Sequence, residues 1–162
     1  MKPGKHIKLR RRAAVLAAIT LAATSLSSAG RFDALLGTWS GSGRSIYQDG
    51  QSEPIRCSAF YTEGGQKLRM AIRCQSSSNA IEIRGQLTAL GDAVSGTWEE
   101  RTFNAAGEAT GRFVGDRLTL AVKGGGFSGT MSVQLGGARQ IVTIATQGIS
   151  LRSVSVTLAK GR

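Results

Sequence analysis

Cys57-Ser58-Ala59-Phe60-Tyr61-Thr62-Glu63-Gly64-Gly65-Gln66-Lys67-Leu68-Arg69-Met70-Ala71-Ile72-Arg73-Cys74 is the stretch that decides the fold. Two alternating apolar and polar runs flank Glu63-Gly64-Gly65-Gln66, which has the composition of a turn. With Gly65-Gln66 as a two-residue loop, Gly64 faces Lys67. Counting back, Glu63 faces Leu68, Tyr61 faces Met70, Ala59 faces Ile72 and Cys57 faces Cys74. Hydrogen-bonded and non-hydrogen-bonded pairs alternate along an antiparallel ladder. Starting from a hydrogen-bonded Gly64–Lys67 pair, the cysteines fall on a non-hydrogen-bonded pair, close enough for a disulfide. The same register puts Tyr61, Ala59, Met70, Ile72 and Leu68 on the cysteine face. It puts Arg56, Ser58, Arg69 and Arg73 on the other.

The period-two pattern continues along the chain, as in half-buried strands. Trp39 to Tyr47 carries Trp39, Gly41, Gly43, Ser45 and Tyr47 on one face. Ala80 to Thr88 sets Ile81, Ile83, Gly85 and Leu87 against polar neighbours, and Ala93 to Thr102 does so with Val94, Gly96 and Trp98. Gly107 to Val114 offers Gly111 and Phe113, and Arg117 to Lys123 offers Leu118, Leu120 and Val122. Gly126 to Leu135 alternates Phe127, Gly129, Met131, Val133 and Leu135 with polar residues. Arg139 to Thr146 and Leu151 to Leu158 end the series, the last with Arg152, Val154, Val156 and Leu158 at alternate positions. The separators are turn sequences such as Gln48-Asp49-Gly50, Gly91-Asp92, Gly115-Asp116 and Gly136-Gly137. About eight to ten strands with short loops predict an all-β, antiparallel up-and-down meander, closed into a barrel that leaves no exposed edge. The only helix expected beyond the N-terminal segment is a turn around Phe32 to Leu36.

The first 29 residues read differently. Lys2, Lys5, Lys8, Arg10, Arg11 and Arg12 precede a short apolar run, Ala13 to Leu26, and Ser27-Ser28-Ala29 supplies small residues for cleavage. This is the layout of a secretory signal peptide, and the run is shorter than the roughly 20 apolar residues of a membrane span. Residues 1–29 are therefore expected as a signal peptide and 30–162 as one β-barrel domain in the periplasm or outside the cell. Removing six of the 21 Lys and Arg leaves 15 cations against 10 acids, a balance of +5 rather than +11. That balance argues against a nucleic-acid binder. Two cysteines in an exported chain pair most simply as one disulfide, with two free thiols or half a metal site as the alternative. An outer-membrane barrel would need an apolar outer face and aromatic girdles. Here one face of most strands is polar, and aromatics are 6% of the chain, so no membrane-spanning part is expected after cleavage.

The only histidine, His6, lies in the signal peptide. Ser-His and Cys-His nucleophiles and imidazole metal ligands are thereby excluded from the rest of the chain. Glu99 and Glu100 are adjacent on a strand and point to opposite faces, so they form no catalytic pair. Gly124-Gly125-Gly126-Phe127-Ser128-Gly129 spells G-x-G-x-x-G, but a strand pattern follows it where a dinucleotide site needs a helix. No catalytic residue, metal or cofactor is predicted.

Two surfaces remain. The inward glycines Gly41, Gly43, Gly96, Gly111 and Gly129 either leave room beside Trp39, Tyr61, Met70, Trp98, Phe113 and Met131 for a ligand, or let the sheet coil while those side chains fill the middle. The second reading is preferred. Arg56, Lys67, Arg69 and Arg73 share the outer face of the hairpin, as a docking face for an anionic envelope component or an acidic protein, or as a solvated face that protects an edge. Again the second is preferred.

Leu36-Gly37-Thr38-Trp39 resembles the G-x-W opening of lipocalin-like (calycin) barrels, and Leu35 to Gly43 is similar to the opening of the nitrobindin barrels. The resemblance implies a lipocalin-like barrel in which Trp39 plugs one end. The haem-ligating histidine of nitrobindins has no counterpart here, so haem binding does not carry over. Gly37-Thr38-Trp39, Ile55-Arg56-Cys57 and Leu68 to Cys74, in that order, also resemble a group of small exported Gram-negative proteins. The early disulfide is similar to that of bacterial barrel inhibitors of metalloproteases. The expected function is thus an exported, non-catalytic barrel that binds a small apolar ligand or serves the cell envelope; the alternative is a protein-interaction module.

Overall fold

The computed structural model describes Met1 and residues 29–161; the body of the expected signal peptide, residues 2–28, and Arg162 lie outside the described residues. A 3-10 turn at Asp33–Leu35 precedes ten strands: β1 Gly37–Tyr47, β2 Ser52–Gly64, β3 Lys67–Gln75, β4 Ala80–Leu90, β5 Ala93–Glu100, β6 Ala105–Val114, β7 Arg117–Gly124, β8 Phe127–Gly136, β9 Arg139–Gln147 and β10 Leu151–Lys160. Each strand pairs antiparallel with the next, and β1 closes the barrel against β10. Short turns dictate this order. Gly65, Gly91, Gly115 and Gly137 begin the four turns at one end with φ between 57° and 64°, a conformation glycine adopts without strain.

The β2–β3 ladder has the register counted from the sequence, from Gly64 opposite Lys67 to Cys57 opposite Cys74. The cysteines are disulfide-bonded with Cα atoms 4.1 Å apart, as the closer-spaced pair requires. Side chains alternate inward and outward as read, with one correction. Arg152 does not share the face of Val154, Val156 and Leu158 but is exposed. Ile46 pairs with Ser153 and Tyr47 with Leu151, so Arg152 is the extra residue of a β-bulge. The bulge turns Leu151 inward and keeps the guanidinium in solvent.

The inward glycines do not create space. A Cβ at Gly41, Gly43, Gly96, Gly111 or Gly129 would run into the carbonyl oxygen of Thr157, Ser155, Gln86, Thr119 or Ala145 on the neighbouring strand. These glycines permit close strand approach, and they let the sheet coil tightly. Gly85 acts differently, because the Met70 methyl occupies the place of its missing side chain.

The two ends of the barrel are unlike. Turns 65–66, 91–92, 115–116 and 137–138 lie at the end covered by the N-terminal segment. There Phe32 donates its N–H to the Gly65 carbonyl (3.3 Å), and the Asp33 carboxylate accepts the N–H groups of Gly65 and Gly30, each at 2.6 Å. Those two bonds hold the Asp33 carboxyl below the usual carboxylate range. The Phe32 ring meets Phe113 edge-on at 5.5 Å, and Arg31 pairs with Asp92. Trp39 donates Nε1–H to the Leu35 carbonyl (2.6 Å) and carries the Lys160 ammonium 5.3 Å above its ring. Trp39, Phe32, Leu35 and Leu158 are at most 1% exposed, so this end is sealed.

Candidate functional site

At the opposite end, with loops 48–51, 76–79, 101–104, 125–126 and 148–150, no segment covers the barrel among the described residues. Its inward side chains Tyr47, Cys74, Ile81, Ile83, Val122, Phe127, Ile144 and Leu151 are all partly exposed. One layer deeper, Met70, Ile72, Trp98, Met131 and Val154 retain 6–8% exposure. Apolar inward side chains at this rim are therefore partly exposed to solvent, whereas those beneath the N-terminal plug are not. This mouth is the candidate site.

The polar groups around the mouth are engaged within the protein. Tyr47 Oη accepts a bond from Asn79 Nδ2 (3.1 Å), and Ser78 Oγ donates to the Glu53 carboxylate (2.8 Å). Thr146 Oγ1 bonds the Leu151 carbonyl, and Trp98 Nε1–H donates to the Glu108 carbonyl (3.1 Å) while its ring packs on Phe127, centroids 5.1 Å apart. Glu100 projects inward at the rim and is 9% exposed. It accepts the N–H groups of Glu82 and Thr102, both at 3.0 Å, and of Phe103 at 2.6 Å. Burial pushes its carboxyl up, but these backbone bonds outweigh burial and hold it below the ordinary value. Glu100 is thus an anchor for loop 101–104. With these groups satisfied, the mouth presents aliphatic and aromatic surface. Its chemistry is shape and apolar contact.

The six interior residues singled out from the sequence divide by exposure. Trp39, Tyr61 and Phe113 are 0–4% exposed, and Met70, Trp98 and Met131 6–8%; Met70 is the cross-strand partner of Tyr61, and Met70 and Trp98 also line a groove on the outer wall. Tyr61 donates Oη–H to Gln140 Oε1 (3.4 Å), and burial raises its phenol above the usual range. Gln140 is fully buried, and its Nε2 has no partner among the described residues. Sequence reasoning missed the lining residues Ile81, Ile83, Val122, Phe127, Ile144 and Leu151. The strand pattern sets Ile81, Ile83, Val122 and Phe127 toward the core, gives Ile144 no face, and puts Leu151 opposite Val154 through the Arg152 reading. Nothing in such a pattern says which end of a barrel is plugged. The disulfide faces the interior beside this mouth, with Cys57 opposite Gly41 and Cys74 opposite Ile81.

Arg56, Lys67, Arg69 and Arg73 are exposed on the outer wall, as read. Arg69 pairs with Glu63 at 3.2 Å and Arg73 with Glu82 at 3.4 Å. Beside them a groove of about 580 Å³ crosses the outer face of β2 to β6, bordered by Phe60, Arg69, Ala71, Arg84, Glu99 and Ala106. The G-x-G-x-x-G stretch forms the β7–β8 turn and the start of β8, with no helix after it.

No family model matches the chain, and no curated protein does. Solved structures do. Rv2717c from M. tuberculosis superposes with a TM-score of 0.68 at 14% identity, covering 81% of this chain and 95% of its own. The S-type phycobiliprotein lyase CPES from Guillardia theta superposes with a TM-score of 0.54 at 16% identity, covering 81% and 90%. At such identities the likeness is one of fold, that of an antiparallel up-and-down barrel.

Proposed function

We propose that this protein is an exported, non-catalytic barrel that binds a small, uncharged apolar ligand through its open end. The observation that carries the reading is the asymmetry of the barrel: an N-terminal plug seals one end, while apolar inward side chains at the other remain partly exposed to solvent. Ligand sites are mostly apolar with few polar groups, and the inward side chains at this end have that composition. The lack of histidine after His6 supports a role without catalysis. Export is supported by the disulfide and by the signal-like N-terminal sequence. Its apolar interior and charged exterior are the reverse of the arrangement in membrane-spanning barrels. A similar barrel is used in CPES by a phycobiliprotein lyase, so the fold accommodates work on other molecules.

The test is to incubate the purified protein with a lipid extract and identify what stays bound by mass spectrometry. N-phenyl-1-naphthylamine, a neutral apolar dye, gives a parallel fluorescence titration. Ile144→Trp, which fills the mouth beside Met131 and Val154, should abolish retention and dye binding. Retention of nothing from the extract, or dye binding indifferent to Ile144→Trp, would sink the reading.

A further inference from the structure

The outer groove opens on the other side of the wall from the mouth, and Met70 and Trp98 belong to the lining of both. Its end nearest the open rim holds an unequal ion cluster. Glu82, on the outer face of β4, is 3.0 Å from Arg84 Nη2, 3.4 Å from Arg73 Nε and 3.8 Å from Arg101 Nη1. One carboxylate thus serves three guanidiniums. Each guanidinium has five N–H donors in a planar fork, so among the described residues most of these donors have no acceptor. The other nearby charges are Glu99, opposite Arg84, Arg56, beyond Arg73 on β2, and Arg69, which borders the groove and is paired with Glu63. With them the cluster and groove hold five cations against three acids.

The groove adjoins this cluster and its floor extends toward the sealed end, two residues or roughly 7 Å along each strand at about 3.3 Å per residue. Ala71 follows Arg73 in this direction and Glu99 follows Arg101, while Arg84 belongs to both cluster and groove. Its floor is mixed: Phe60, 51% exposed over Ala71, and Ala106, beyond Glu99, supply the apolar part, and Thr62, Gln86 and Thr97 lie among them. Gly85 and Gly107, in the row beneath, have no side chain to fill it. The volume is within the range of small-molecule sites, roughly 300–1,000 Å³. The barrel is closed, so an occupant cannot join the sheet as an added strand. It must be held by side chains: guanidiniums at one end, and along the rest Phe60, Ala71 and Ala106 interleaved with Thr62, Gln86, Thr97 and the Glu99 carboxylate.

We propose that this groove binds an amphiphile with one oxyanion head, a phosphate or carboxylate, placed at Arg73, Arg84 and Arg101, and an apolar body laid over Phe60, Ala71 and Ala106. Bidentate oxyanion binding is the geometry that guanidinium favours.

Calorimetric titration of the purified protein with dodecyl phosphate and with dodecanol, both below micelle formation, tests this. Dodecyl phosphate should bind at least tenfold tighter than dodecanol and lose affinity as salt rises. The double variant R73Q/R84Q should lose that advantage. Ala106→Trp should weaken dodecyl phosphate tenfold or more by filling the groove; Phe60→Ser does so by removing the floor, and serves if Ala106→Trp does not fold. Ile144→Trp should leave this binding unchanged, which separates the groove from the mouth. Affinity unmoved by R73Q/R84Q, or lost in Ile144→Trp, overturns the proposal. So does inorganic phosphate binding as tightly as dodecyl phosphate, which would leave the apolar part of the floor without a role.

Discussion

The sealed and open ends of this barrel are made from the same strands, yet they do different work. At the sealed end, Trp39 and Leu158 meet Phe32 and Leu35 from the N-terminal plug, and exposure falls to 0–1%. At the open end, Ile81, Phe127 and Ile144 point inward along the same strands but meet no covering segment, and remain partly exposed. The strand pattern is equally apolar in both places. What differs is the short stretch before β1, fastened by Asp33 to Gly30 and Gly65. A closed sheet with one plug is covered at one end only, which is why the two ends differ in exposure.

Truncation should break the comparison most sharply. Trp39→Ala leaves a cavity in a packed layer and should cost about 3–5 kcal/mol. Leu151→Ala, at the open rim, should cost less than about 1.5 kcal/mol because its side chain is only partly removed from water. Urea unfolding of both variants measures the difference; equal losses would mean that the two ends are equally packed.

The disulfide comes next. Replacing Cys57 and Cys74 together by serine opens a link of sequence separation 17 and should cost about 3 kcal/mol in the chain-entropy model. Hydrogen exchange should then rise chiefly at the open ends of β2 and β3, where the bridge sits, with the plug at 30–36 unchanged.

Glu100→Gln should have the smallest effect of the three, about 1–3 kcal/mol, as charge-assisted bonds to the 101–104 backbone weaken. Its carboxyl is depressed in the folded state, so its contribution is complete above the unfolded value of about 4.5 and is lost as pH falls through the lower folded value. Wild type should therefore lose stability below about pH 4.5 more steeply than Glu100→Gln. Identical pH slopes would show that Glu100 does not anchor the loop.

Much of this was legible in the sequence because it depends on parity. In a strand, alternate residues face opposite sides, so one correct turn at Gly65-Gln66 assigned Cys57, Tyr61, Met70 and Cys74 to the interior and Arg69 and Arg73 to the exterior. Where the chain breaks parity, the reading failed: the bulge at Arg152 shifts the frame by one, and no residue there announces it. The glycines were ambiguous for another reason. Gly41 or Gly96 in a strand means either space or close approach, and only the neighbouring carbonyl decides which.

The sequence by itself determined the strands, their turns, the hairpin register, the disulfide and the two faces of the wall, since each follows from the local stereochemistry of a few residues. Only the tertiary structure decided which end is sealed, how Trp39 came to be covered more fully than Met131, and that Arg84 and Arg101 join Arg73 around Glu82. Those facts depend on how ten strands coil and close. Closure brings together residues far apart in the chain, a relation that local periodicity does not encode.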